Sequence, residues 1–403
     1  MVFIDVSGAC KSPRNTGIQR VTRNICRELR EHVPTTPISW NRVGNRYQLL
    51  GQRERNLLER PFEVSSRPVA RPELLGEIFF AELHRHFFRA EIRLDDKLGA
   101  DDVLLVPDIY RDGRLKEMPR LLGQTSARTV AIFHDAAALS LPQLYPKAAP
   151  RFRAYIDSLA AFDLVICVSN ASRSELLRLW SESGAAATET VVETWPVEPS
   201  TVTERDGTVS RSSNLIVCVG SFEPRKNHLT LLRAAEKLWK AGVAIELELI
   251  GRSTGDFGGK VVSELRRLQR AGVNVRWSKQ VNDQALHHGY RECRFTVYPS
   301  LMEGFGLPIL ESLSHGKPVI CGGNGALGEV ARNGGCLIVD QTDEEALASG
   351  MRELFTDQVT YERLCNEAQA RKFRSWADYI DNLLEHLQVK PTATSVATPA
   401  LQH

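Results

Sequence analysis

The stretch VYPSLMEGFGLPILESLSHGKPVI, residues 297–320, has the form of a strand, a glycine-rich turn and a helix. The strand begins at FTVYPS and ends at Ser300, the turn passes through Gly304 and Gly306, and a helix opens around Leu307. Pro308 lies in its first turn, where proline is favoured because that N–H has no intrahelical partner. Gly316 closes it. Such a turn aims backbone N–H groups and the positive end of a helix into one space, an anion site suited to a diphosphate. Glycines let a phosphate approach the chain without meeting a Cβ. Glu303 and Glu311 bracket that site. Carboxylates there would repel phosphate, so they make sense as acceptors for sugar hydroxyls on either side of it. The E-x7-E spacing is weak alone and strong within this strand, Gly-Phe-Gly turn, proline and helix.

Outward from this segment, short apolar runs alternate with helical stretches. Upstream lie LIVCVG (215–220), IELELIG (245–251) and VNVRW (273–277); KPVICG (317–322) follows. Continuous β-branched runs of this kind are the mark of buried parallel strands in βαβ units. Helices are legible too: HLTLLRAAEKLWKAG (228–242) sets Leu229, Leu232, Ala235 and Leu238 on one face and stops at Gly242. The first half repeats the pattern with VFIDV, DVLLVPD (102–108), RTVAIFHD (128–135) and DLVICVS (163–169). Between the halves, residues 195–214 are rich in Pro, Ser, Thr and charge, as an interdomain connection would be. The prediction is two similar α/β units, followed by an amphipathic helix over 375–387 and a mobile tail beyond Val389.

A length of 403 residues favours two domains meeting at a cleft. Hydrophobic and charged fractions of 42% and 25% are those of a globular protein, and a net charge of +2 does not point to nucleic acid. The cysteines form no CxxC pair, against a zinc knuckle or a redox dithiol, and several lie in apolar runs as small buried hydrophobes. The start, MVFIDVSGAC, lacks the basic and apolar regions of an export signal and reads as a first strand in a cytoplasmic protein. No run reaches the roughly 18 apolar residues that span a bilayer. Any membrane contact is expected to be peripheral, at the inner face.

Two further groups carry chemistry. VGSFEPRKN (219–227) ends a strand and begins a helix, placing Arg225 and Lys226 where they would neutralise a departing diphosphate. In the first half, IDVSGACKSPRNTGIQRVTRNICREL gives a strand, a polar loop and a helix after Gly17, with Arg14, Arg20 and Arg23 leaving a basic edge. His134 and Asp135 close a strand at its carboxyl end, where α/β proteins place ligands. Ser169 precedes a helix as an N-cap.

With these motifs, the chain resembles the family-4 retaining glycosyltransferases, most densely over 215–345. The resemblance implies a GT-B fold of two facing Rossmann-like domains. Residues 1–200 would form the acceptor-side domain and 201–372 the nucleotide-sugar domain, with a helix over 373–388 crossing back and a tail over 389–403. It implies that Glu303 contacts the donor sugar, that the amides of Gly304, Phe305, Gly306 and Leu307 hold the diphosphate, and that Glu311 binds the ribose. It assigns His134 to the donor sugar's primary hydroxyl, and Thr16, Gly17 and Arg20 to a loop near diphosphate and acceptor; an ordinary helix start explains those three equally well. Many members carry arginine where this chain has Ser221; the resemblance keeps Ser221 as a donor-binding candidate, and the departure shifts the diphosphate role to Arg225 and Lys226. The Glu-Pro-Arg-Lys-Asn form looks like that of mannosyl-transferring members. GDP-mannose is the first donor expected, with UDP and dTDP sugars as alternatives, and a glycan or lipid-linked glycan is the expected acceptor in cell-surface polysaccharide synthesis. No cofactor or metal is expected, since no Asp-x-Asp clamp lies near the site.

Residues 77–94 combine Phe79, Phe80, Phe87 and Phe88 with Arg85, Arg89 and Arg93. A basic aromatic helix can lie in a membrane interface; packing of these phenylalanines into the core is preferred. A nicotinamide dehydrogenase would need G-x-G-x-x-G after a first strand, which neither half offers. A GT-B epimerase or phosphorylase and a non-catalytic GT-B scaffold stay open as alternatives.

Overall fold

A computed structural model describes residues 1–12, 16–60, 98–197, 213–279 and 281–391. Arg14, the 77–94 segment, most of the 195–214 connection and the chain beyond residue 391 lie outside the described residues. The described strands form two sheets. The first holds β1 Val2–Asp5, β2 Thr35–Asn41, β3 Arg46–Leu49, β4 Val103–Val106, β5 Arg128–Phe133, β6 Leu164–Cys167 and β7 Glu189–Val192 in the order β3-β2-β1-β4-β5-β6-β7. Only β3 is antiparallel to its neighbour. The second holds β8 Leu215–Val219, β9 Glu246–Ile250, β10 Val275–Ser278, β11 Phe295–Tyr298, β12 Val319–Cys321 and β13 Cys336–Ile338 in the order β10-β9-β8-β11-β12-β13, all parallel.

The apolar runs form the sheet centres because helices cover both faces: every residue of β1, β4, β6, β11 and β12 is buried. Both sheets are doubly wound. In each, the chain winds outward on one side of its first strand and then returns to the other, so a crevice opens between β1 and β4 and between β8 and β11. Ligands bind at the carboxyl ends of strands at such reversals. The segments after β8 and β11, carrying Arg225, Lys226 and Glu303, are thereby side by side, and Leu301 N–H donates to Arg225 O at 2.8 Å.

The amphipathic helix of the C-terminal region runs from Trp376 to Leu387, with Ser375 and Asp378 as its capping box. Its Tyr379, Ile380, Leu383, Leu384 and Leu387 share one apolar cluster with Val21, Ile25 and Leu29 of the Gly17–His32 helix in the first unit. Phe305, Leu307 and Leu310 of the second unit belong to the same cluster, so one continuous core runs beneath the cleft. Two polar ties reinforce the crossing: Arg374 pairs with Glu193 at the end of β7, and Arg128 Nε donates to His386 O at 3.1 Å.

Candidate active site

The turn after β11 is built by two glycines with different tasks. Gly306 adopts φ +104 at the N-cap of the Leu307–Ser314 helix, in the left-handed region that favours glycine. Gly304 lies against the first domain, where a Cβ would stand 1.9 Å from His134 O. Ser169 Oγ, which also caps the Asn170–Ser183 helix, donates to Gly304 O at 2.7 Å. No side chain caps the Leu307–Ser314 helix, and the N–H groups of Phe305, Gly306 and Leu307 have no hydrogen-bond partner among the described residues. Gly304→Ala should therefore push the domains apart at this point. The expected cost is about 1–3 kcal/mol of stability, read as a lowered Tm, together with loss of activity; an unchanged Tm would show that the contact gives way without effect.

Glu303, with a side chain 7% exposed, sits between two cations. Arg225 Nη1 donates to its Oε2 at 2.6 Å and to Met302 O at 3.0 Å; Lys226 Nζ donates to its Oε1 at 2.7 Å and to Tyr298 OH at 2.5 Å. Burial pushes the Glu303 carboxyl up, but Arg225 and Lys226 outweigh burial and hold it at about 2. Burial pulls the Lys226 ammonium down against the attraction of Glu303. Arg225 loses from burial and gains more from Glu303 and Asp135, so it stays cationic. Glu303 thus lies between two cations, and Arg225 is shared further with Glu223 and Asp135 at 3.6 and 3.9 Å. Ser221, expected to bind the donor, donates its Oγ to Glu223 Oε1 at 2.7 Å.

Glu311 is also engaged. Arg20 of the first domain donates to its Oε1, and Tyr290 OH donates to its Oε2 at 2.8 Å. Arg20 and Glu311 are 291 residues apart, and their ion pair ties the two domains across the cleft. Gly17 stands next to Leu307, a Cβ there falling 3.4 Å from its Cδ1. Thr16 is the N-cap of the Gly17–His32 helix, donating from its N–H and hydroxyl to Gln19 Oε1 at 3.2 and 3.1 Å. Of that loop, Arg20 therefore reaches the second domain through a side chain, whereas Thr16 organises the helix start.

His134 is buried at the end of β5, its ring against Trp195, which packs in turn on Phe305. Its Nε2 lies 2.7 Å from Pro107 O, which can only accept, so Nε2 carries the proton. Nδ1 is then an acceptor, and it is buried with no partner among the described residues. Burial, opposed by the Pro107 bond, lowers the imidazole pKa to about 4, leaving it neutral at physiological pH.

The structure adds residues that sequence reasoning missed. Tyr298 bonds Lys226 and lies under its ammonium, 4.8 Å from ring centroid to Nζ; it was hidden inside an apolar strand. Asn324, after β12, donates to Leu301 O at 3.1 Å and accepts from Gln341 at 3.1 Å. Its place as a polar residue between a strand and a helix start was the available signal. Glu329 accepts from the N–H groups of Asn170 and Ala171 at 3.1 and 2.5 Å, a second bridge between the domains.

Residues 203–371 match the family model described as glycosyl transferases group 1. The chain is 31% identical over 264 residues to O-antigen chain mannosyltransferase B of Escherichia coli, covering 62% of this chain and 67% of that protein. It is 25% identical over 347 residues to the serotype-specific mannosyltransferase WbdA of Escherichia coli, covering 79% of this chain and 37% of WbdA, so it spans well under half the length of that relative. Among solved structures, Anabaena HepE in complex with UDP and glucose superposes with a TM-score of 0.68 at 16% identity, over 96% of this chain and 99% of HepE. That last likeness concerns the fold, two facing parallel-sheet domains of the GT-B type. With the strand, Gly-Phe-Gly turn and helix placed at the sheet reversal, and a relative aligned across both halves, the chain belongs to the group 1 glycosyl transferases.

Proposed function

We propose that this glycosyltransferase moves a mannosyl unit from GDP-mannose to a glycan or lipid-linked glycan, with retention of anomeric configuration and without a divalent metal, in the assembly of a cell-surface polysaccharide. The observation that carries the reading is the pairing of Glu303 with Arg225 and Lys226 beside the free amides of Phe305, Gly306 and Leu307. Those amides and the helix end suit a diphosphate. Lys226 keeps a third N–H beyond its bonds to Glu303 and Tyr298, and Arg225 keeps Nη2, so both can meet phosphate oxygens as charge builds on the leaving group. His134 Nδ1 is an acceptor suited to a sugar hydroxyl. Glu311 reaches the ribose once Arg20 releases it, and Arg20 is then free for the diphosphate.

Retention follows from same-face attack. The leaving phosphate oxygen takes the acceptor's proton while an oxocarbenium-like ion pair is held between Glu303 and the cations. No second carboxylate is assigned as a nucleophile, and the two cations would take the charge of the leaving diphosphate. The mannosyl choice draws support from the names of the two Escherichia coli relatives. Among the described residues no helix is long and apolar enough to cross a membrane; we place the enzyme in the cytoplasm, meeting its acceptor at the inner face of the membrane.

The test is transfer from radiolabelled GDP-mannose to a lipid-linked glycan acceptor, in buffer with EDTA, with the product anomer read by NMR. An α-linked mannosyl product formed at full rate in EDTA is expected. Transfer only from UDP or dTDP sugars would overturn the donor, a β-linked product would overturn retention, and a rate abolished by EDTA would overturn metal independence. Release of free sugar or epimer without transfer would favour the epimerase or phosphorylase alternative.

A further inference from the structure

Glu311 is held by residues of both domains, one on each carboxylate oxygen. Arg20, on the Gly17–His32 helix of the first domain, donates to Oε1. Tyr290, on the Asp283–Glu292 helix of the second, donates its hydroxyl to Oε2 at 2.8 Å. Glu311 itself lies on the Leu307–Ser314 helix of the second domain. One bond therefore crosses the cleft and is lost when the domains part, whereas the other lies within a single domain and travels with the carboxylate.

Tyr290 is fixed in place. Its side chain is 1% exposed, and its ring stacks on His315, the C-cap of the Glu311 helix, with centroids 5.5 Å apart and planes inclined by 18°. His315 Nε2 lies in turn 3.0 Å from Nδ1 of His287, which shares a helix with Tyr290. The two helices are joined by both histidines as well as by the phenol, so the ring that carries the hydroxyl has little freedom to turn. Burial pushes the Tyr290 phenol well above its ordinary pKa, against the pull of Arg20, and it stays protonated as a donor toward the carboxylate.

We infer that Tyr290 is a positioning residue for the donor's ribose: it anchors Oε2 of Glu311 so that Oε1, once Arg20 releases it, faces the hydroxyls of the nucleoside. The inference rests on the reading of Glu311 as the ribose carboxylate and adds the residue that aims it. Tyr290 touches neither the nucleotide nor any bond that forms or breaks. Without the anchor the carboxylate turns about its last torsion, and binding a ribose hydroxyl then carries the cost of ordering it.

The test measures equilibrium binding of GDP and of 2′,3′-dideoxy-GDP, with the UDP pair beside them, to the full chain and to Tyr290→Phe, which keeps the stacked ring and loses the hydroxyl. The full chain should prefer the ribose form by about tenfold. Tyr290→Phe should cut that preference by about threefold and leave the affinity for the dideoxy nucleotide unchanged, which also reports that the variant is folded. In turnover its KM for the donor should rise more than kcat falls. Glu311→Ala should abolish the preference, and adding Tyr290→Phe to it should change nothing further. The inference is overturned if Tyr290→Phe keeps the full preference, if it weakens both nucleotides alike, or if its effect persists in Glu311→Ala. An unmodified chain that binds nucleotide with no preference for the ribose form sinks the reading of Glu311 and the inference with it, whereas binding of UDP in place of GDP overturns the donor base alone.

Discussion

Glu303→Gln is expected to lower kcat by at least about a hundredfold and to destabilise the second domain by about 3–5 kcal/mol. The two effects share one cause. The carboxylate neutralises two buried cations through bonds of 2.6 and 2.7 Å, and glutamine replaces one of its accepting oxygens by a donor that faces an N–H. Arg225 or Lys226 is then left without a counter-charge in a site too dry to supply one. On the proposed mechanism, the same anion would balance the positive charge that grows on the sugar as the glycosidic bond lengthens, and glutamine would not. Glu303→Asp separates the roles, because it keeps the charge and withdraws it by one methylene; its kcat should fall less than that of glutamine. Acid reports on the same group. Its carboxyl titrates at about 2 against an ordinary 4.5, so its contribution to stability is complete above pH 4.5 and is lost as pH falls toward 2. In Glu303→Gln that part of the acid dependence of Tm should vanish. A variant that turns over within twofold of the parent, with an unchanged Tm, would remove Glu303 from the site.

Periodicity made the parallel strands and the closing helix legible, because burial on both faces writes a continuous apolar run and burial of one stripe writes a 3.6-residue repeat. It failed where buried residues are polar. β2 and β3 carry Pro37, Ser39, Asn41 and Gln48, of which the last three are buried and paired: Asn41 Nδ2 donates to Gln48 Oε1 at 3.0 Å and Ser39 Oγ to Glu54 at 3.1 Å. No pattern of apolar residues announces such a hairpin. β7 is an edge strand with no fully buried residue and was missed for the opposite reason. At the site, Glu303, Arg225 and Lys226 were recognisable by their motifs, yet their pairing was not: Arg225 and Glu303 are 78 residues apart and meet because β8 and β11 are neighbours at the sheet reversal. The pairing of Arg20 with Glu311 was further from reach, since it depends on how two domains face each other. The resemblance implied a diphosphate for the cations and a ribose for Glu311; in the structure these charges are held by one another, so on the proposed reading donor binding would be an exchange of partners rather than the filling of an open cradle.

That exchange sets the expectation for Lys226→Ala, which should reduce kcat/KM by about 10²–10³-fold. Lys226 is buried, and its ammonium meets Glu303, Tyr298 OH and the face of the Tyr298 ring. Removing it leaves Glu303 with Arg225 alone, one positive charge fewer than stood there before. A leaving diphosphate would then meet a site that has lost one of its two cations, and the loss is felt most where negative charge is greatest, in the transition state, so kcat should fall more than KM rises. Lys226→Arg tests geometry apart from charge: a planar guanidinium cannot place one compact charge between Glu303 and Tyr298, so its rescue should be partial. Because Arg225 and Lys226 share Glu303, the double variant Arg225→Ala with Lys226→Ala should lose less than the product of the single losses. It also leaves Glu303 buried without a counter-ion, and its carboxyl should then titrate above the ordinary range, as burial alone dictates. Independent, multiplicative losses for the two variants would mean that the cations serve different groups. A Lys226→Ala enzyme that keeps its kcat and loses only affinity would confine the lysine to ground-state binding.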